Sequence, residues 1–429
     1  MGALIMKFNK KGKVITTILL VIAVVIGIFA FKIFHRVTNS PMIKSEDRNE
    51  KFIADIEFLK KELPKKHKNL FFSKSEEEFN DEIDSLINNV SRYSDEEING
   101  ELAKIIVSIN DSHTNVDIMG SLAYPLNFFQ FGNDIYLVDG DSEYKGYWGK
   151  KLISINGHSI NELKEKLEPF ISKDNEAISK NQFSVLLKCV EVLKLSGIVK
   201  EDNATFTFEG SPNDDVMIKP VTMEEYMNIT TLSSDEEFKN RFPISKQNSN
   251  DNYWFKYIEE ENTMYVKYNS CMEMKEYSFS NFTKDVFNVI DTKNATKLVV
   301  DLRDNGGGNS RVFETFLDEI KKRENINKEG NLYAIIGRRT FSSAVLNAMS
   351  LRNETNATLI GEPTGGKPNH FGEVKTIHLS NVNIDVNYSS NYFKTSDEDT
   401  DSIYPNVEIN LKAESFFNGQ DDFLEYVIR

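Results

Sequence analysis

Cysteine is nearly absent from this 429-residue chain: Cys189 and Cys271 are the only two. That excludes a disulfide framework and a thiolate metal site, and it leaves room for one disulfide at most. Proline is sparse at 10 residues, alongside abundant Asn, Lys and Ile, which reflects biased composition and no particular structural class. Positive charge is also short. Residues 1–36 hold six Lys and Arg and no acid, so the remainder carries 45 basic residues against 66 acidic ones, a net charge of −21. Such a surface repels nucleic acid and anionic lipid headgroups, and it offers no basic cluster for the phosphates of a nucleotide cofactor. Nucleic-acid binding is excluded on this ground. What remains is an ordinary globular composition, 40% hydrophobic and 27% charged, long enough for two or three domains.

One long apolar run exists, at residues 14–31, which are 18 residues without a charge. That is the lower limit for a membrane-spanning helix. Lys7, Lys10, Lys11 and Lys13 precede it, Lys32 and Arg36 follow it, and acids begin at Glu46. The bias predicts an N-terminus inside and the rest of the chain outside, as a single-pass cell-membrane protein with its main portion extracytoplasmic. A cleaved signal peptide is the competing reading, but its apolar part is usually shorter and ends in small residues, whereas this run ends Ile28, Phe29, Ala30, Phe31. No cysteine follows for lipid attachment.

The organisation expected from the pattern is a membrane anchor (1–36), a polar tether (37–50), a helical cap (51–118), an inserted α+β subdomain with a linker (119–250) and a core (251–429). In the cap, Phe52, Ile56, Leu59 and Leu63 keep helical spacing up to Pro64, and Ser75 followed by Glu78 signals a capping box. A third helix begins near Ser94 and leads into Asn110, Asp111, Ser112, His113 and Thr114. In the insert, strand patterns at 125–129, 134–138 and 150–159 precede helices expected at 160–171 and 176–194. Residues 210–250, rich in Ser, Asn and Asp, read as a linker or a lid. His67, His158, His370 and His378 have no setting that singles them out.

The core is organised around two stretches. Leu298, Val299 and Val300 form a short apolar run that reads as a buried strand, followed by Asp301, Arg303, Asp304, Asn305 and three glycines, Gly306, Gly307 and Gly308. Glycines after a buried strand either make a flexible turn or let backbone N–H groups approach an oxyanion or phosphate. The second stretch is a strand at 332–337, a turn, and a helix from Ser342 with Ala344, Val345, Ala348 and Leu351 on one face. A serine at that junction is either an N-cap or a nucleophile assisted by the helix dipole.

Taken in order, Asp301-Leu302-Arg303-Asp304-Asn305-Gly306-Gly307-Gly308, Thr340-Phe341-Ser342-Ser343-Ala344 and Gly361-Glu362-Pro363-Thr364-Gly365-Gly366-Lys367 resemble the S41 serine peptidases, the tail-specific processing proteases and the tricorn core. The resemblance implies a spiral ββα core of the kind shared with ClpP and crotonases. The whole is then an α/β protein with an N-terminal helical cap and a small inserted α+β subdomain, after a single transmembrane helix. It implies a serine endopeptidase acting on peptide or protein substrates, with no metal and no cofactor. Leu152 to Gly157 faintly resemble one strand of the PDZ insert usual in the processing enzymes, in degenerate form.

By the same resemblance Ser342 is the nucleophile, with Ser343 as the alternative, and the N–H groups of Ser343 and of Gly306 or Gly307 form the oxyanion site. Two bases are implied. Lys367, 25 residues after Ser342, matches the Ser/Lys processing proteases; His113 matches the tricorn type, oriented by an acid from the run 397–401, either Asp399 or Glu398. His113 needs little tuning near neutrality, and its protonation would switch activity off below about pH 6.5, whereas Lys367 would have to lose a proton from about 10.4. A relative on the same fold that binds ligands without catalysis is the alternative function, and a crotonase-like acyl-CoA enzyme is a third. The pattern leaves the oligomeric state open.

Overall fold

The computed structural model of the chain describes residues 37–118, 120–172, 174–210 and 215–428. The expected membrane span at 14–31 lies outside them, and among the described residues no helix is long and apolar enough to cross a membrane.

Three helices, Arg48–Lys66, Glu76–Asn89 and Asp95–Val107, form the cap. The second and third start with reciprocal capping boxes, Ser75 with Glu78 and Ser94 with Glu97. Phe52, Ile56, Leu59 and Leu63 are all buried, as their spacing predicts. Pro64 does not stop the first helix, which runs on to Lys66; a proline in the last turn forfeits only one backbone bond.

The cap alone cannot cover its apolar stripe. It packs on a long antiparallel hairpin, His370–Leu379 with Ile384–Phe393, whose Ile377, Leu379, Ile384, Val386 and Tyr388 share one core with the helices. Each such side chain contributes on the order of 1.5–3 kcal/mol by leaving water. The hairpin belongs in sequence to the expected core, so the cap and core are joined through it. Residues 37–50 are not a free tether. Val37–Asn39 adds a parallel strand to the hairpin, opposite Thr376 to His378, and Ser40 Oγ donates to buried Asp55. At the hairpin's other edge Asn115–Val116 pairs with Val386 and Asn387, which pins the segment next to His113.

The core sheet runs in the order Tyr253–Ile258, Thr263–Tyr268, Lys297–Asp301, Leu332–Ile336, Thr358–Gly361, Val407–Glu408. The first pair is antiparallel and the other neighbours are parallel. Its central strands are mostly apolar because both faces are covered, with Lys267 and Asp301 as buried exceptions. Leu298 and Val300 face the helices Phe279–Lys293, Glu314–Lys321 and Ser343–Glu354, whereas Val299, Ile335 and Ile360 face Trp254 and the C-terminal helix Asp422–Ile428.

The insert has its own core and a four-stranded sheet ordered His158–Ser159, Leu152–Ile155, Ala204–Phe208, Asp215–Ile218. Its helices are shorter than expected: Ile160–Leu167, Glu176–Leu186 and Val190–Leu195, the last two separated by Leu187 to Cys189. Within 210–250, Leu232 and Phe242 are buried with Trp148 against Phe416 and Phe417. That part of the expected linker is packed structure.

Candidate active site

The strand Leu332–Ile336 ends in a turn built by one threonine. Thr340 Oγ1 accepts from Gly337 N–H at 3.0 Å and donates to Leu302 O at 2.8 Å, and Phe341 N–H donates to Asn305 O at 3.0 Å. The chain then enters the helix Ser343–Glu354 through Ser342, whose backbone is left-handed at φ 53°, ψ −127°. That is glycine territory, and a serine held there carries strain of about 1–3 kcal/mol. Its side chain caps nothing, so the N-cap reading lapses. Ser343 is an ordinary first-turn residue with its hydroxyl donated to Gly308 O at 2.7 Å.

The glycine loop lies directly against this serine. A Cβ on Gly307 would fall 2.7 Å from Ser342 Cβ and 3.1 Å from Ser343 N, and Gly307 itself sits at φ 106°. Gly306 is exposed, with open space where a side chain would be. The Gly307 N–H is already given to Asn305 Oδ1 at 2.9 Å. Gly306 and Ser343 therefore have the freer amides, and the latter lies in the first helical turn, where N–H groups lack intrahelical partners. Asn305, fully buried and also donating to Tyr268 O at 2.9 Å, holds the loop in shape.

Behind the loop, Asp301, Arg303 and Asp304 belong to a buried ion network. Arg303 bridges Asp301 and Asp421, and Lys267, wholly inside, reaches Asp301 at 3.3 Å and Asp304 at 2.8 Å. Burial pushes the Asp304 carboxyl up, but Lys246, Lys267 and Arg339 outweigh it and hold the group well below the carboxylate range.

His113 reaches the same place from the cap. Its ring is 8% exposed and stacks on Phe341 at 4.3 Å between centroids and on His370 at 5.7 Å. Burial drives its pKa down to about 4, with Asp111 opposing and His370 adding to the shift, so the imidazole is neutral at neutral pH. Its Nε2 is buried and has no hydrogen-bond partner among the described residues. Among the described residues the one carboxylate within 4 Å of a ring nitrogen is Asp111, Oδ1 to Nδ1 at 3.8 Å. Burial raises the Asp111 carboxyl, and hydrogen bonds led by that from His67 overcome this and bring it down to about 2.

Lys367 is also close to the serine turn. Gly366 N–H donates to Thr340 O at 3.1 Å, and a Cβ on Gly366 would meet Val345 and Phe341. The Lys367 ammonium lies 3.7 Å from Asp174, which accepts the Ser112 N–H at 2.8 Å. Glu398 and Asp399 are exposed, on a loop tied to Asn369 through Glu398 O at 3.3 Å and Asp399 Oδ1 at 3.5 Å. The structure thus gathers Ser342, Ser343, Gly306, Gly307, His113 and Lys367 around one turn. Among the described residues Glu398 and Asp399 are linked to it through Asn369, the neighbour of His370.

Sequence reasoning passed over five contributors: Asn305, Phe341, His370 and the pair His67–Asp111. Asn305, Phe341 and Asp111 stood inside quoted motifs; the histidines had no local signal.

No protein-family model matches the sequence, and no curated protein matches it. Solved structures do. Mature CPAF complexed with lactacystin superposes with a TM-score of 0.61 at 12% identity, covering 88% of this chain and 97% of that one. Mature CPAF alone gives a TM-score of 0.60 at the same identity, over 88% and 96%. The tricorn protease is similar with a TM-score of 0.42 at 15% identity, over 89% of this chain and 36% of that one. The CPAF superposition, over 88% of this chain, shows a mixed α/β fold that resembles the S41 peptidases.

Proposed function

We propose that this chain is a serine endopeptidase. Ser342 Oγ attacks the scissile carbonyl, His113 Nε2 takes its proton, and the N–H groups of Ser343 and Gly306, with Gly307 shaping the wall, hold the oxyanion. The carrying observation is the strained backbone of Ser342, set at the head of a helix with Gly307 packed on its Cβ. Strain of this kind aims a hydroxyl outward, and one oxyanion donor contributes about 3–4 kcal/mol to the transition state. A neutral buried His113 is in the form a base requires. Lys367 as base is the weaker reading, since its ammonium faces the Asp174 carboxylate at 3.7 Å. The apolar run at 14–31 would tether the peptidase to the cell membrane, with the acidic portion on the outer side.

A second reading, a binding protein on the same fold without catalysis, draws on one observation: Ser342 makes no hydrogen bond to His113 among the described residues, and Phe341 covers the imidazole. Digestion of a peptide library by residues 37–429 separates the two. Cleavage that disappears in Ser342→Ala supports the peptidase; no cleavage by either protein supports the binder. Lactacystin, which CPAF holds in its structure, is a direct inhibitor to test.

A further inference from the structure

His67 ends the first cap helix with its side chain wholly buried. Asn69 N–H donates to His67 Nδ1 at 3.1 Å, which places the ring proton on Nε2. Nε2 in turn donates to Asp111 Oδ2 at 3.0 Å. Thr114 Oγ1 donates to the same oxygen at 2.6 Å, and His113 N–H donates to Oδ1 at 3.1 Å. Three donors fix the plane of this carboxylate, and the fixed plane turns Oδ1 towards His113 Nδ1. Ser389 of the long hairpin closes the arrangement, giving its N–H to Thr114 Oγ1 at 3.2 Å and accepting Lys68 N–H at 2.9 Å.

We infer that Asp111 and His67 are the positioning residues of the site: Asp111 orients His113 in the tautomer that leaves Nε2 unprotonated, and His67 holds Asp111 in place. This rests on the reading of Ser342 and His113 as nucleophile and base. At 3.8 Å the Asp111–His113 contact is electrostatic, and such contacts shorten when substrate fills a site. When His113 takes the serine proton on Nε2, the imidazolium forms beside a carboxylate that cannot turn away. The other groups facing His113 do not compete for this role. His370 gives its own Nδ1 proton to Lys367 O at 2.8 Å, Phe341 is apolar, and Asp174 is engaged by Ser112 and Lys367. The orienting acid thus comes from the cap, two residues before the histidine, and its support comes from 44 residues earlier in the chain.

The test is the rate of fluorophosphonate labelling of residues 37–429, with the imidazole tautomer read by ¹⁵N NMR. Asp111→Asn should slow labelling by at least ~10², in line with other triads that lose the acid, and should move His113 from one tautomer to a mixture. His67→Phe should slow it by at least ~10-fold through Asp111, while His67→Gln, which keeps a donor, recovers most of the loss. The double variant should be no slower than Asp111→Asn alone. Should His67→Phe not fold, Asp111→Asn and its tautomer signature test the same link. Labelling of His67→Phe at the wild-type rate, or losses that multiply in the double variant, would overturn the inference. Ser342→Ala is run beside them: if it still labels, the nucleophile assignment itself has failed, and not merely the positioning.

Discussion

At the scale of single residues, the backbone of Ser342 carries a cost that a glycine would not. Ser342→Gly should therefore raise stability by about 1 kcal/mol while abolishing hydrolysis, whereas Ser342→Ala, still left-handed, abolishes it without the gain; thermal denaturation beside an activity assay checks both. His113 makes a second prediction. Burial takes its pKa from 6.5 down to about 4, so with His113 as the base activity should persist through pH 5 and be lost near 4. The sign for stability follows from the same shift. Between 6.5 and about 4 the unfolded chain binds a proton that folded His113 refuses, so stability falls as pH falls through that window. Asp111, at about 2 when folded, extends the fall below 3.8. The candidate serine was legible because its signal is local, a strand, a turn and a helix within twenty residues. His67 was not, because a histidine declares its role only through its partner, and Asp111 lies far along the chain.

At the scale of elements, the glycine loop and the serine turn form one unit. A side chain at position 307 meets Ser342 Cβ at 2.7 Å on a backbone of φ 106°, so Gly307→Ala should cost about 1–3 kcal/mol and lower kcat by at least ~10² with a smaller effect on KM; urea titration and steady-state kinetics separate the two effects. The buried network of Asp301, Arg303, Lys267 and Asp304 was legible only as an interruption of an apolar strand. Its purpose lies in Lys267 and Asp421, which come from other elements. The long hairpin was missed for a related reason: its inward residues complete the cap's core and not their own domain's, so their alternation has no meaning until the two parts are brought together.

At the scale of the whole molecule, the mixed α/β character follows from periodicity, since helices with capping boxes and apolar parallel strands carry their signals locally. What joins these parts is long-range. The hairpin carries the cap on one face, takes the strand Val37–Asn39 on one edge and clasps Asn115–Val116 on the other, so His113 is held against the Ser342 turn by elements hundreds of residues apart. Residues 37–429 should fold as a soluble protein. Starting the chain at residue 42 removes the edge strand and the Ser40–Asp55 hydrogen bond, leaving Asp55 short of a donor, and should lower Tm by several degrees, at a cost of about 1–3 kcal/mol. Differential scanning calorimetry of the two proteins settles the comparison.

In the proposed mechanism one hydroxyl, placed by strain between a glycine loop and a helix end, does the chemistry. Mass spectrometry of the fluorophosphonate-labelled protein locates that hydroxyl directly. A single adduct should form on Ser342 at neutral pH and be lost in both Ser342→Ala and His113→Ala. An adduct on Ser343, labelling that survives His113→Ala but not Lys367→Ala, or no adduct at all would contradict it.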